Sequence, residues 1–313
     1  VSACQTIRKN IKDVDSFIAS FRHEEQSARV ELLFSKALSY MFHLPFYTFP
    51  TNNPYVQHKV VWYGEKEMCP IGAPANYPDA IVYARHFDVL MEVTRNTGTR
   101  QWDREYARTV RHFQDYIKKW KKERDSVFLL LIVNDINRDT FTSVQAKNRE
   151  GYNILPITFQ NFERILEVCD LAVGLRHFDL RILFSRLIRN LIDSQSLTAY
   201  NKCAKRSVLD WRVTLLDRYR LAYVAVKGYQ VFVTENRQHL GASEIATEIY
   251  TERDVKNYFK ILGKTPQKED VIDGMLTFGF ASDAGLPQTD MILSLVSPLE
   301  IRERIKEIME TID

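Results

Sequence analysis

Residues Val127–Val133 read VFLLLIV, a run without a single polar side chain. A β-strand points successive side chains to opposite faces, so a strand with nothing polar needs cover on both sides. Helical apolar patterns flank it in the sequence, and the run is therefore expected to be the central strand of a sheet sandwiched by helices. It is also the longest apolar run in the chain and is of strand length, far below the roughly 18–20 residues that a membrane span needs. Strand and helix patterns alternate around it up to about residue 170, which predicts an α/β module with a mixed sheet. The 313 residues leave room for a second module, and the boundary is placed between residues 172 and 173.

Within the first module the spacing predicts a helix over residues 1–22, with Ile7, Ile11, Val14, Ile18 and Phe21 inward, and a second over His23–Phe42. Glu31 sits inside the apolar pattern of the second, either as a solvated flank or as a buried carboxylate. Residues 45–78 are rich in Pro, Asn, Gly and aromatics and read as loops around one strand, Gln57–Tyr63. After the central strand come a helix starting near Asp139-Thr140, a short strand Tyr152–Ile157, and a helix capped by Thr158. Beyond residue 172 the reading is a mainly helical module: amphipathic helices over 178–197, 209–219, 242–262, 268–278 and 298–312. Leu221–Thr234 is read as a β-hairpin turning at Lys227-Gly228, a combination that resembles a winged helix.

Chemistry concentrates in Tyr77–His112. Asp79 follows a proline in a turn, and Glu92 ends an apolar strand, where a charge is costly unless it is paired or metal-bound. Gln101, Glu105, Arg108 and His112 then recur at spacings of four, three and four, which places them on one face of a helix. An Asp and a strand-end Glu with polar groups aimed at them describe a site for a hard divalent cation. Mg²⁺ fits, with Mn²⁺ as a substitute, held by Asp79, Glu92 and the Val93 carbonyl. Such a cation hydrolyses phosphodiesters when water and phosphate complete its shell, and Glu105 and His112 would hold or deprotonate the water. Glu31 would add a further carboxylate.

The net charge of +3 is too small to diagnose a nucleic-acid partner by itself. Local clusters matter more. Arg181, Arg186, Arg189, Lys202, Lys205, Arg206, Lys227 and Arg237, with His239 beside them, are the expected phosphate contacts of the second module. The run KKWKKER at Lys118–Arg124 is read instead as charge favourable to a helix C-terminus. Four widely separated cysteines, without metal-ligand spacing, predict a reducing, cytoplasmic setting. The chain opens at Val1 without a signal-peptide pattern and is read as a fragment or a processed chain.

At these residues the sequence resembles the PD-(D/E)xK nucleases and, more narrowly, the AlwI family of type IIS restriction and nicking endonucleases. The matching features are Pro78-Asp79, then Glu92-Val93-Thr94, then Glu105 and His112, followed by VFLLLIVNDINRDTF and NILPITFQNF. The resemblance implies a restriction-endonuclease-like core in which Asp79 and Glu92 bind Mg²⁺, Glu105 and His112 complete the site, and Glu31 joins from the preceding helix. It departs from the generic motif at Thr94, which stands where a lysine is usual. A threonine supplies neither a cation nor a base, so that work falls to Gln101, Glu105 and His112.

The function expected is Mg²⁺-dependent, sequence-specific cleavage of double-stranded DNA at a distance from an asymmetric site. One such site cuts one strand, so double-strand cleavage needs a second subunit, identical or different, and the lone chain would nick. The alternatives are a repair or mobile-element nuclease on the same core, or a catalytically silent DNA-binding or partner subunit.

Overall fold

The computed structural model describes residues 3–42, 56–57, 61–63, 67–69, 78–84, 86–171 and 177–234, with scattered positions between 247 and 293. The first compact unit comprises residues 1–170 and 175–211; the second comprises 171–174 and 212–313.

The chain begins with α1 (Ala3–Lys12) and α2 (Val14–Ala19) rather than one helix. Asp13 separates them because its side chain accepts the amide of Ser16 and caps a new helix start. A 3₁₀ turn at His23–Glu25 leads into α3 (Gln26–Met41). Two short strands, β1 (Val56–Gln57) and β2 (Val61–Tyr63), stand where one was expected; β2 pairs with β3 (Glu67–Cys69) and β1 joins the main sheet. The hairpin of β4 (Ala80–Tyr83) and β5 (Asp88–Thr94) follows. A π-helical turn (Gln101–Tyr106) then opens α4 (Ala107–Trp120). Next come β6 (Val127–Val133), α5 (Arg138–Arg149), β7 (Ile154–Thr158) and α6 (Phe159–Leu171).

The sheet has the order β1-β4-β5-β6-β7, antiparallel on the β1 side and parallel from β5 to β7. All seven residues of β6 are buried, between two parallel neighbours, as its wholly apolar sequence requires. α4 lies over the face of β5 that carries Asp88 and Glu92. On the opposite face Phe128 meets Phe184 of α7 (His177–Asp193). Phe34 of α3 packs on Phe159 and Phe162 of α6, with centroids 4.9 and 5.3 Å away. Arg8 of α1 bonds Glu163 and Glu167 of α6 at 2.9 and 2.8 Å. Thr158 accepts the amide of Asn161, the helix cap that the sequence predicts.

The largest departure from the sequence reading is α8, a single helix over Leu197–Thr234. Residues 221–234 are helical in it, so the expected hairpin at Lys227-Gly228 is corrected, and the winged-helix reading loses its wing. The alternating pattern that suggests strands also satisfies a helix. Ala204, Val208, Trp211, Leu215, Tyr219, Ala222, Val226, Tyr229 and Val233 repeat every three or four residues, continuing a stripe whose first four members are buried. α7 and α8 as far as Trp211 belong to the first unit, anchored by Gln145 donating to the carbonyls of Leu191 and Ser194 and by Tyr200 donating to Pro156. The helix expected over 298–312 lies outside the described residues, as do most of 242–262 and 273–278. Two short strands, β8 (Ala281–Ser282) and β9 (Ile292–Leu293), pair antiparallel in the second unit.

Because a helix-interior glycine costs about 1 kcal/mol against alanine, Gly228→Ala is expected to raise the thermal midpoint and the helical circular-dichroism signal. A drop in both would return Gly228 to a turn.

Candidate active site

The pairing of β4 with β5 sets the geometry. The ladder begins with Ala80 opposite Met91, and Asp79, just before β4, donates its amide to the Met91 carbonyl at 2.9 Å, which seats it at the Glu92 end of β5. Both carboxylates are thereby within reach of one side chain of α4, Arg108. Asp79 is 1% exposed and Glu92 2%. One oxygen of Asp79, Oδ2, accepts the Val93 amide at 2.8 Å, which fixes the carboxylate and leaves Oδ1 to Arg108.

α4 runs back along β5, and three of its side chains meet that strand's acids. Tyr116 donates to Asp88 at 3.0 Å, His112 Nδ1 meets Glu92 Oε1, and Arg108 reaches both members of the pair. A single guanidinium nitrogen, Arg108 Nη2, lies 3.2 Å from Glu92 Oε2 and 3.4 Å from Asp79 Oδ1. His112 is buried, and a carboxylate accepts, so Nδ1 is the donor in this contact. Its Nε2 is buried without a hydrogen-bond partner among the described residues.

Burial is the largest cause raising the Asp79 pKa well above the ordinary 3.8, and the neighbouring charges of Glu92 and Glu31 add to it. The Val93 amide and Arg108 act the other way without offsetting it. For Arg108, burial alone would lower the pKa, but Glu92, Asp79, Glu105 and Glu31 outweigh it and the guanidinium is held more firmly protonated.

An opening of about 240 Å³ leads to this cluster, lined by Glu31, Val93, Thr94, Asn96, Glu105 and Arg108 among others. Glu31 is therefore a site-facing, buried carboxylate rather than a solvated flank. Glu105 does not touch the pair; its Oε1 accepts from Asn96 Nδ2 at 2.7 Å, and the Asn96 amide donates to Thr94 Oγ1 at 3.0 Å. Thr94, in the lysine position, thus braces the loop that holds Glu105. Gln101 has a different duty from the one expected. It is fully buried, donates to the carbonyls of Asn96 and Asp135 and accepts from the Asn137 amide, so it staples the loops after β5 and β6 and has no polar atom left for water.

The sequence places Arg108 on the helix face that carries Glu105 and His112 but assigns it no role at the site. Its spacing of four from His112 was the available signal. Asn96 carried none. The basic run at the end of α4 lies by the start of β5, where Lys122 pairs with Asp88 at 2.9 Å, away from the Glu92 end. Arg186, Arg189, Lys202, Lys205 and Arg206 are exposed and Arg181 half-buried, on α7, which packs against α5 and β7, and on α8. Arg206 pairs with Asp210. Lys227 lies within helical α8, and Arg237 and His239 lie outside the described residues.

A buried carboxylate pair on a helix-covered mixed sheet is what the fold and site define. The AlwI restriction endonuclease family model matches residues 7–165, half of the chain, and the chain belongs to this family of restriction-type nucleases. The solved small subunit (R.BspD6I2) of the heterodimeric restriction endonuclease R.BspD6I is similar over 67% of this chain and 99% of that one, at 18% identity and a TM-score of 0.46. No protein of curated function matches the chain in sequence. Among the described residues no helix is long and apolar enough to cross a membrane.

The raised Asp79 pKa predicts a stability effect whose sign is fixed. A carboxyl group whose folded pKa exceeds its unfolded value stabilises fully below the unfolded value and loses that contribution as pH rises through the folded one. At neutral and higher pH the metal-free protein therefore carries the cost of an ionised Asp79. Asp79→Asn is expected to raise the thermal midpoint there by roughly 2–4 °C, the response of a domain this size to about 1 kcal/mol. The gain should shrink on acidification. A variant less stable than wild type across that range would contradict the assignment.

Proposed function

We propose that this chain is a Mg²⁺-dependent DNA endonuclease that hydrolyses phosphodiester bonds at the Asp79–Glu92 pair. The observation that carries the reading is the convergence of Asp79 Oδ1 and Glu92 Oε2 on one cationic nitrogen. Two buried carboxylate oxygens already directed at a single positive centre, on hard donors only, suit a small divalent cation. Among the described residues no three His, Cys, Asp or Glu side chains close into a cage. Mg²⁺ takes one or two carboxylates and fills its shell with water and phosphate. Asp79, Glu92 and the Val93 carbonyl would hold it. Bound there, it would neutralise charge developing at the phosphate and lower the pKa of an attacking water.

The remaining residues divide the work. His112 spends Nδ1 on Glu92, so it is a positioning residue that fixes the carboxylate's orientation, the part that hydrogen-bonded second partners play at metal sites. Glu105 lines the opening and keeps an oxygen beyond the one Asn96 engages, so it is the group placed to accept a proton from water. Glu31, from the other side of the opening, adds negative charge that favours cation entry.

Double-stranded DNA is the substrate in this reading, cut at a distance from an asymmetric sequence. The exposed basic residues of α7 and α8 are the phosphate contacts. One carboxylate pair cuts one strand. The chain nicks by itself and cleaves both strands with a second subunit, either its own copy or a different nuclease chain.

Wild-type protein with Mg²⁺ is expected to convert supercoiled plasmid to nicked circles. Asp79→Asn and Glu92→Gln should be slower by more than about a hundredfold, since even second partners of metal ligands cost about 10–100-fold. Chelation should stop the reaction and Mn²⁺ restore it. Cutting that survives either substitution at the wild-type rate would remove the pair from the chemistry.

A further inference from the structure

We propose that Arg108 is a built-in counter-cation for the Asp79–Glu92 pair, occupying the point toward which both carboxylates face and competing there with the divalent cation. The inference rests on the metal reading above and concerns how that site is loaded.

Three observations carry it. First, the contacts belong to one atom: Nη2 reaches Glu92 Oε2 at 3.2 Å and Asp79 Oδ1 at 3.4 Å, so it stands between the carboxylates rather than beside one of them. Second, the other oxygens of the pair are already engaged, Asp79 Oδ2 by the Val93 amide and Glu92 Oε1 by His112. The two oxygens bound by Arg108 are thus the ones left for a metal. Third, the acids are 1–3% exposed whereas the Arg108 side chain is 41% exposed and lines the opening with Glu105 and Glu31. The anions are fixed, and the cation is the partner with room to leave.

A positive charge and a divalent cation cannot share one point between two carboxylates, since at about 4 Å their repulsion is severe at any effective protein dielectric. Metal entry and Arg108 departure are therefore a single exchange. Without metal the arginine compensates two buried anions that would otherwise repel each other. With metal it turns to the opening, where a phosphate arriving from DNA offers it a new partner. Loading of the site is then disfavoured at low free cation and eased by substrate.

An alternative duty, a brace that simply shapes the site, predicts the opposite effect on metal affinity, and that difference is testable. Free Mn²⁺ is counted by electron paramagnetic resonance during titration of the DNA-free protein, for wild type and for Arg108→Gln, Arg108→Met, Arg108→Lys and Asp79→Asn. Folding of each is checked by circular dichroism, and either neutral variant alone suffices. Removing the charge in the Gln and Met variants is expected to tighten Mn²⁺ binding by at least about tenfold. Arg108→Lys, which keeps the charge, should stay near wild type. The Mn²⁺ concentration giving half-maximal plasmid nicking should fall in parallel. Asp79-dependent binding that is unchanged or weaker in the neutral variants overturns the counter-cation and leaves the metal site standing. Binding that Asp79→Asn leaves untouched sinks the metal reading and this inference with it.

Discussion

Two buried carboxylates gathered on one arginine nitrogen are the constraint on which the site depends. The β4–β5 ladder ends at Ala80 opposite Met91, and the bonds from the Asp79 amide to the Met91 carbonyl and from the Val93 amide to the Asp79 carboxylate hold Asp79 at the Glu92 end of β5. Both are buried, and an isolated buried carboxylate is costly, so each of their oxygens is matched to a donor or a cation. The Val93 amide, His112 and Arg108 supply those partners, and they come from β5 itself and from α4 directly above it. The π-helical turn before α4 and the Gln101 staple hold the start of that helix against the loops after β5 and β6. Structure around the site is thus largely explained by the need to tolerate this pair.

The apolar strand β6 is what makes the arrangement rigid. Its seven buried residues register β5 on one side and β7 on the other, so the Glu92 end of β5 cannot shift without disturbing the whole sheet. Asn148 serves the far edge in the same spirit, its side chain donating to the Ile154 carbonyl and accepting its amide. A site built on strands and a docked helix keeps its geometry better than one carried by loops. In the proposed function this matters because a cation with strict octahedral preferences is sensitive to small displacements of its ligands.

Much of this was legible in the sequence, and what was not has physical causes. VFLLLIV read as a two-sided buried strand because no other use of seven apolar residues bounded by polar ones is cheaper. Glu92 stood out because a charge ending an apolar strand is expensive, and Asp79, after a proline in a turn, joined it as the second carboxylate. The family resemblance, drawn from those residues, agrees with the family match over residues 7–165. The helix over 1–22 broke at Asp13 because a local cap competes with helix continuation, which periodicity does not register. The hairpin failed because LAYVAVKGYQVFVT alternates and also repeats every three or four residues. Read alone it favours strands; read as the extension of the stripe from Ala204 it favours a helix. Gln101 and Arg108 shared a predicted face with Glu105 and His112, yet face membership says nothing about whether a side chain ends on a backbone carbonyl, a carboxylate or water.

Diffraction from crystals soaked in Mn²⁺, recorded at a wavelength where Mn²⁺ scatters anomalously, tests the central claim most directly. The account predicts one strong peak between Asp79 Oδ1 and Glu92 Oε2, with the Val93 carbonyl nearby and the Arg108 guanidinium moved out toward the opening. No peak there, in crystals that bind Mn²⁺ elsewhere and keep Arg108 between the carboxylates, would contradict it.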